Sequence, residues 1–275
     1  TTGYIIRISL TAALAGFIFG FDTVVISGAN LPIKELWQTS PLFHGFFIMS
    51  MALWGTVIGA IFGGVPTEKY GRKKVLFWIG ILFTVSALGT ALAPEPYSFS
   101  LLRFIGGVGI GVSSVAAPTY VSEISTPATR GRLVALYQFN IVFGILIAFL
   151  SNYFLEGVGG ENDWRYMLGI MTIPSVLYSL LVLGVPESPR WLLARKGNVQ
   201  AAENVLKKLG VQDVASEITA IRESNRHEKR AGEGSGLFSK KYSRVMWLAF
   251  MVAFFNQVSG INVILYYAPL ILARA

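Results

Sequence analysis

The sequence predicts an all-α membrane protein, a bundle of apolar helices joined by basic loops. Three observations predict it. Of 275 residues, 53% are hydrophobic and 14% are charged, against about 25% charged in a soluble domain. The mean hydropathy is +0.56, so no polar skin is available for a soluble fold of this size. Seven apolar runs, each near the roughly 20 residues that cross a bilayer, fall at 8–33, 45–65, 75–93, 96–122, 133–155, 166–185 and 245–273.

The first run contains one charge, Asp22, inside "GFIFGFDTVVISG". It is too long for a secretory signal peptide, and no small-residue cleavage site ends it. The fourth run contains only Arg103 before Glu123, and the other five contain no charge. An ionised carboxylate at mid-membrane costs about 2.5–3.5 kcal/mol on insertion scales, and such residues face a bundle interior or a water-filled path. Arg103 is the one candidate partner in a neighbouring span. A carboxylate accepts a proton, whereas arginine keeps its charge. Asp22 is therefore expected to carry a proton and Arg103 to be the fixed charge that tunes it. A static ion pair is the competing reading.

Orientation follows from lysine and arginine. With the N-terminus inside, the short inner segments hold Arg7, Lys69, Arg72, Lys73, Lys74, Arg130 and Arg132, and the outer loops hold Lys34 and Arg165. Seven against two places the N-terminus in the cytoplasm. The net charge of +8 then belongs to basic loops facing an anionic leaflet, and no nucleic-acid partner is expected. The chain has no cysteine, which excludes disulfides, thiolate metal sites and cysteine nucleophiles. His44 and His227 are too far apart in sequence to suggest a metal cluster.

The chain divides into a six-helix membrane unit (1–185), an inner linker (186–244) and a seventh span (245–275). In the linker, "PESPRWLL" has Ser188 as an N-cap and Pro189 at the first helical position. "NVQAAENVLKKLG" reads as an amphipathic helix with Ala201, Val205 and Leu209 on one face and Gly210 as its stop. Residues 226–236 are charged and glycine-rich and are expected to be flexible.

Gly107, Gly111 and Ser114 share a helical face with Arg103, and Gly55, Gly59 and Gly63 form a similar series in the second run. Both read as close helix packing. "GGVGIG" lacks both the spacing and the preceding strand of a nucleotide-binding loop. Gln138 and Asn152 fall about 40° apart on the fifth helix, a stripe that suits either a polar uncharged ligand or interhelical hydrogen bonds. The seventh run is the most polar: Asn256, Gln257, Ser259, Asn262, Tyr266 and Tyr267 crowd around Gly260, with Pro269 beyond. Amides and phenols donate and accept without charge, which matches a polyhydroxylated ligand. Gly260 and Pro269 permit a helix break, and interrupted helices mark transporter sites.

Motifs in order along nearly the whole chain complete the reading: "GFDTVVISGA" (20–29), "KYGRKK" (69–74), "RFIGGVGIG" (103–111), "PTYVSEISTPATRGRLVALYQ" (118–138), "DWRYMLG" (163–169), "PESPRWLL" (186–193) and "NQVSGINVILYYAP" (256–269). The sequence resembles the sugar porter family of the major facilitator superfamily, which includes bacterial sugar–proton symporters and facilitative glucose transporters. The resemblance implies a twelve-span bundle, of which this chain is the six-span N-terminal half, the linker and the first span of the second half. The start at Thr1 and the end at Ala275, within or just past the seventh run, agree with a piece of something longer.

The resemblance also implies roles. Gln138, Gln257, Asn262 and Tyr266 match sugar-bonding positions, and Phe19 matches an aromatic sugar contact. Asn256 stands where the family usually has glutamine, one methylene longer. Asp22 and Arg103 match the proton-coupling pair of the symporters. Glu68, which replaces the common aspartate, joins Arg72, Glu123, Arg130, Arg132, Glu187 and Arg190 in the family's inner gating network. The expected activity is proton-coupled monosaccharide transport in the cell membrane by alternating access, with no enzyme chemistry, no metal and no cofactor besides the proton. A passive uniporter and a non-transporting sugar sensor are the alternatives. A seven-helix receptor is disfavoured by the inside N-terminus and by the lack of lysine in the seventh span. A C-terminal half is expected to be needed, since half a bundle would leave a polar face against lipid.

Overall fold

The computed structural model describes residues 2–125, 127–232 and 243–272, and all regular structure among them is helical. Among the described residues, seven helical stretches are long and apolar enough to cross a membrane: Arg7–Trp37, Pro41–Phe62, Arg72–Leu92, Pro96–Ile124, Arg130–Leu155, Gly160–Leu183 and Ser243–Pro269. These are the first to seventh spans. They fall where the apolar runs predict them.

Two spans are irregular for local reasons. The second opens with a turn at Pro41–Phe43, capped by Ser40, and a π-helical stretch at His44–Met49. There the buried His44 ring bonds Asn30 Oδ1 at 2.8 Å and Thr39 Oγ1 at 2.9 Å. The sixth is split into Asp163–Gly169 and Thr172–Leu183. Pro174 lies four residues after Ile170, where its ring crowds the preceding turn and it offers no N–H.

The first span packs along the fifth, the second along the fourth, and the third against the sixth. Exchanging spans 1–3 with spans 4–6 maps this set of pairings onto itself, as expected of two inverted three-span repeats. Close approach comes from glycine. A Cβ at Gly107 would overlap the Ala52 carbonyl oxygen, and one at Gly55 the Phe104 oxygen. The first–fifth contact uses the same device: Cβ atoms at Gly16, Gly20 and Gly144 would overlap the carbonyl oxygens of Tyr137, Ile141 and Phe17. Gly16 and Gly20 are four residues apart, the G-x-x-x-G spacing of close helix packing, a signal that the sequence reading did not use.

At the end of the bundle away from the linker, Trp164 is wholly buried and stacks edge-on against Trp37 and Phe99. Arg165, counted above as an outer-loop cation, lies over the Trp164 ring and donates to the Ala91 and Ala93 carbonyls at 2.8 and 2.9 Å. It closes the C-terminal end of the third span.

The described residues of the linker form three helices. Ser188 caps Pro189–Arg195, accepting from Trp191 N at 3.2 Å. Asn198 caps Val199–Leu209, and Gly210 ends it in the left-handed region, at φ +81°. The buried face of this helix is Ala202, Leu206 and Leu209 rather than Ala201, Val205 and Leu209. Helical rotation is tuned there by what the helix packs on, not by the first apolar residue. The third helix, Val214–Gly232, runs through 226–232, where flexibility is expected from composition. Its contact with Arg190 supports it, as described below. Residues 233–236 of that stretch lie outside the described residues.

Candidate functional site

The two membrane charges meet. Arg103 Nη1 donates to Asp22 Oδ1 at 2.7 Å, and both side chains are 3% exposed. Arg103 Nη2 also reaches the Asp22 backbone oxygen at 3.4 Å. The pair joins the first and fourth spans, the leading helices of the two repeats. Asp22 Oδ2 and Arg103 Nε are buried without a partner among the described residues. The interaction is thus a single side-chain bond rather than a two-pronged fork, and it leaves one carboxylate oxygen for a proton.

Tyr266 completes the centre. It is buried in the same core cluster as Phe21 of the first span and Ile110 of the fourth. It arrives on the seventh span, which breaks where the glycine allows. One helix ends at Val258 and the next starts at Ile261, with Gly260 at φ +75° between them. A side chain is strained at that φ. Pro269 lies inside the second helix and makes no break. At the break, Asn262 Nδ2 donates to Gln257 Oε1 at 2.7 Å. Gln257 and Asn256 are exposed, as is Gln138 on the fifth span, and Phe19 is partly exposed. Each keeps polar or aromatic surface uncovered. Asn152 is buried. It turns into the first–fifth contact and donates to Val25 O at 3.1 Å. On the side away from the linker, Ser27, Asn30, Asn152, Glu156, Tyr266 and Tyr267 border a cavity of about 460 Å³.

The second cluster sits at the linker end. Arg72 grips Glu123 through two parallel bonds of 2.8 Å. Glu187 Oε1 accepts from the backbone N–H groups of Arg72, Lys73 and Ser188 at 2.9, 3.2 and 2.8 Å. Gly71, at φ +98°, is required twice, since a Cβ there would also overlap Glu187 Oε2. Glu68 pairs with Arg195, and its backbone oxygen accepts from Trp191 Nε1 at 2.7 Å. Arg190 bonds Asn225 and Ser224 of the third linker helix at 3.3 and 3.2 Å. The linker is thereby clasped to the third and fourth spans.

Arg195 belongs to this cluster, and sequence reasoning missed it. Its position on the last turn of the Pro189 helix was the available signal. Arg130 and Arg132 do not join. Both are exposed at the start of the fifth span, which packs along the first span rather than toward Arg72 and Glu123.

Burial raises the Glu187 carboxyl above its ordinary value of 4.5, against the backbone hydrogen bonds and the Arg72 charge. The folded chain then holds the proton more tightly than the unfolded chain. Stability from this group is greatest below 4.5 and falls as pH rises to the raised value. Glu187→Gln keeps the Oε1 acceptor and should flatten that slope in thermal melts across pH 4–7. Glu187→Ala orphans three backbone donors and should cost about 1–3 kcal/mol.

The comparisons with known proteins agree with this architecture. The family model described as "Sugar (and other) transporter" matches residues 8–275. The arabinose-proton symporter of Bacillus subtilis is 36% identical over 272 residues, covering 97% of this chain and 58% of its own length. The glucose transport protein of Synechocystis is 37% identical, covering 98% and 59%. The xylose transporter XylE from E. coli, in a partially occluded inward-open conformation, superposes with a TM-score of 0.85 at 32% identity, covering 97% of this chain and 66% of that one. The chain therefore spans about three fifths of the length of these relatives. Its helical bundle is a truncated form of the major facilitator fold, and the chain belongs to the sugar (and other) transporter family.

Proposed function

We propose that the chain is the N-terminal part of a transporter that carries a monosaccharide together with a proton by alternating access. The observation that carries the reading is the Asp22–Arg103 pair, buried in a membrane-spanning bundle and held by one side-chain hydrogen bond. Protonation of Asp22 releases the guanidinium and changes how the first and fourth spans hold each other. A group whose charge differs between two states biases the equilibrium between them. No cofactor is needed besides the proton.

Gln138, Gln257, Asn262 and Tyr266 bind sugar hydroxyls in this reading, with Asn256 beside them and Phe19 packing against the ring. The names of the relatives, an arabinose-proton symporter, a glucose transport protein and a xylose transporter, support a sugar substrate and leave pentose and hexose open. The clasp of Glu68, Arg72, Glu123, Glu187 and Arg190 holds the linker-side gate closed, and Arg130 and Arg132 are available to it in other states. The N-terminus and the linker face the cytoplasm of an inner membrane, by the seven-to-two lysine and arginine count. A C-terminal half completes the site. It covers the fifth span, whose apolar window is 22% buried against 61% for the first, and the seventh, whose apolar window is 0% buried.

The test is uptake into proteoliposomes by the complete reading frame that encodes this chain. The parent should concentrate labelled sugar when a proton gradient is imposed. Asp22→Asn should lose accumulation by at least about tenfold and keep sugar exchange. Accumulation by both proteins would refute the coupling role, exchange alone by the parent would make it a uniporter, and neither would make it a sensor.

A further inference from the structure

A groove of about 640 Å³ opens where the third span, the sixth span and the first linker helix meet. The gating clasp leaves its outer wall unused. Its rim is basic: Lys73, Lys74 and Lys196 border it. Lys73 Nζ bonds the Leu183 carbonyl at 2.8 Å, and Lys196 Nζ lies 5.8 Å from the centre of the Trp191 ring. Lys74 is exposed and has no partner among the described residues. The floor is apolar and open sideways, with Trp78 63% exposed and Leu183 55% exposed on the two spans. Glu187 is the one acid bordering the groove among the described residues, and its Oε1 is spent on three backbone N–H groups.

The two halves of the groove demand different things. Exposed tryptophan and leucine on membrane spans are solvated by acyl chains. Three ammonium groups at the level where those spans leave the bilayer are solvated by anions, and basic pockets between membrane helices bind acidic lipid head groups. An inorganic phosphate would satisfy the rim and leave the floor unused. A zwitterionic lipid would bring its own ammonium against the lysines. We propose that this groove binds one anionic phospholipid of the leaflet on the linker side, phosphate and glycerol among the lysines and acyl chains along Trp78 and Leu183. The site touches both the end of the third span and the clasped linker helix, so an occupied groove braces the closed clasp. The proposal rests on the bundle spanning a membrane and is independent of the sugar reading.

Delipidated chain in neutral detergent, titrated with phosphatidylglycerol and read by native mass spectrometry, tests it. One lipid should be retained, and phosphatidylcholine should bind at least about tenfold more weakly. Lys74→Gln with Lys196→Gln should weaken phosphatidylglycerol by at least about tenfold. The control, Lys207→Gln with Lys208→Gln, removes equal charge from the exposed face of the second linker helix and should stay within twofold. All four lysines are exposed, and circular dichroism checks that the helices persist. Brominated phosphatidylglycerol should quench tryptophan fluorescence, less so in Trp78→Phe. Equal weakening by the control pair would mean a diffuse surface field and overturn the site. So would equal binding of phosphatidylcholine, or full displacement by millimolar inorganic phosphate, which would mark an ion site.

Discussion

Arg103→Ala is expected to destabilise the bundle by about 3–5 kcal/mol, the range for removing one partner of a buried ion pair. The guanidinium is 3% exposed and holds Asp22 through a 2.7 Å bond. Its loss strands a carboxylate at mid-membrane, with one oxygen already unpartnered. The effect is expected to be larger than that of cutting the Glu68–Arg195 pair at the linker end, where both side chains are more than half exposed and water screens the loss. Asp22→Asn is expected to be milder, because an amide oxygen still accepts from Nη1. Adding Asp22→Asn to Arg103→Ala removes the stranded charge, and the double variant should melt above Arg103→Ala alone. Such a sign change in a double-mutant cycle identifies direct coupling. Melts of purified protein in one detergent are sufficient. If Arg103→Ala melted within a degree of the parent, the pair would not hold the two repeats together, and its conditional release would have nothing to act on.

Much of this was legible in the sequence for a physical reason. In a bilayer every backbone group bonds within its own helix, so apolar length alone locates spans, and the seven runs became seven spans. A charge within them has few ways to survive, which is why Asp22 and Arg103 could be paired from spacing-blind reasoning. The break at Gly260 was legible because positive φ falls on glycine. Outside the membrane the signal weakens. The linker helix Val199–Leu209 was visible from its caps, yet its buried face was misjudged by one residue, because Ala201, Ala202, Val205, Leu206 and Leu209 share one broad apolar side and the pattern does not fix its centre. The helix through 226–232 was obscured by its charge, since contacts such as Arg190 to Asn225 are invisible in composition. Arg130 and Arg132 were grouped with Arg72 by motif, and motif does not say which neighbour a helix end faces. Sugar-binding roles for Gln138, Gln257, Asn262 and Phe19 came from the resemblance. The geometry adds that Gln138 and Gln257 are exposed, and that Asn152 ties the fifth span to Val25 while bordering the cavity beside Tyr266.

Gly20→Ala is expected to rival Arg103→Ala, although it adds one methyl group and no charge. A Cβ at residue 20 would overlap the carbonyl oxygen of Ile141 and crowd its carbonyl carbon. Backbone cannot rotate away as a side chain does, so the first and fifth spans must separate along their seam. Overpacking of this kind costs about 1–3 kcal/mol, and a backbone collision belongs at the upper end. The consequence is not confined to packing. Asp22 follows two residues later on the same helix, and a shift of a few tenths of an ångström lengthens its bond to Arg103, which the fourth span holds on the other side. Gly20→Ala should therefore lower thermal stability by about 3 kcal/mol and also erode the coupling energy measured between Asp22 and Arg103. Gly64→Ala supplies the contrast. Nothing lies within 4 Å of a Cβ there, and alanine favours a helix, so its melt should match or slightly exceed the parent's. The inverted pairing extends the argument to Gly107, whose Cβ would overlap Ala52 O in the second–fourth seam and which lies one helical turn beyond Arg103. The two charges are each placed by a glycine seam close by on their own helix, one per repeat. A methyl group in either seam should then loosen the same ion pair from opposite sides, and a similar loss of coupling in Gly20→Ala and Gly107→Ala is the result that would show it.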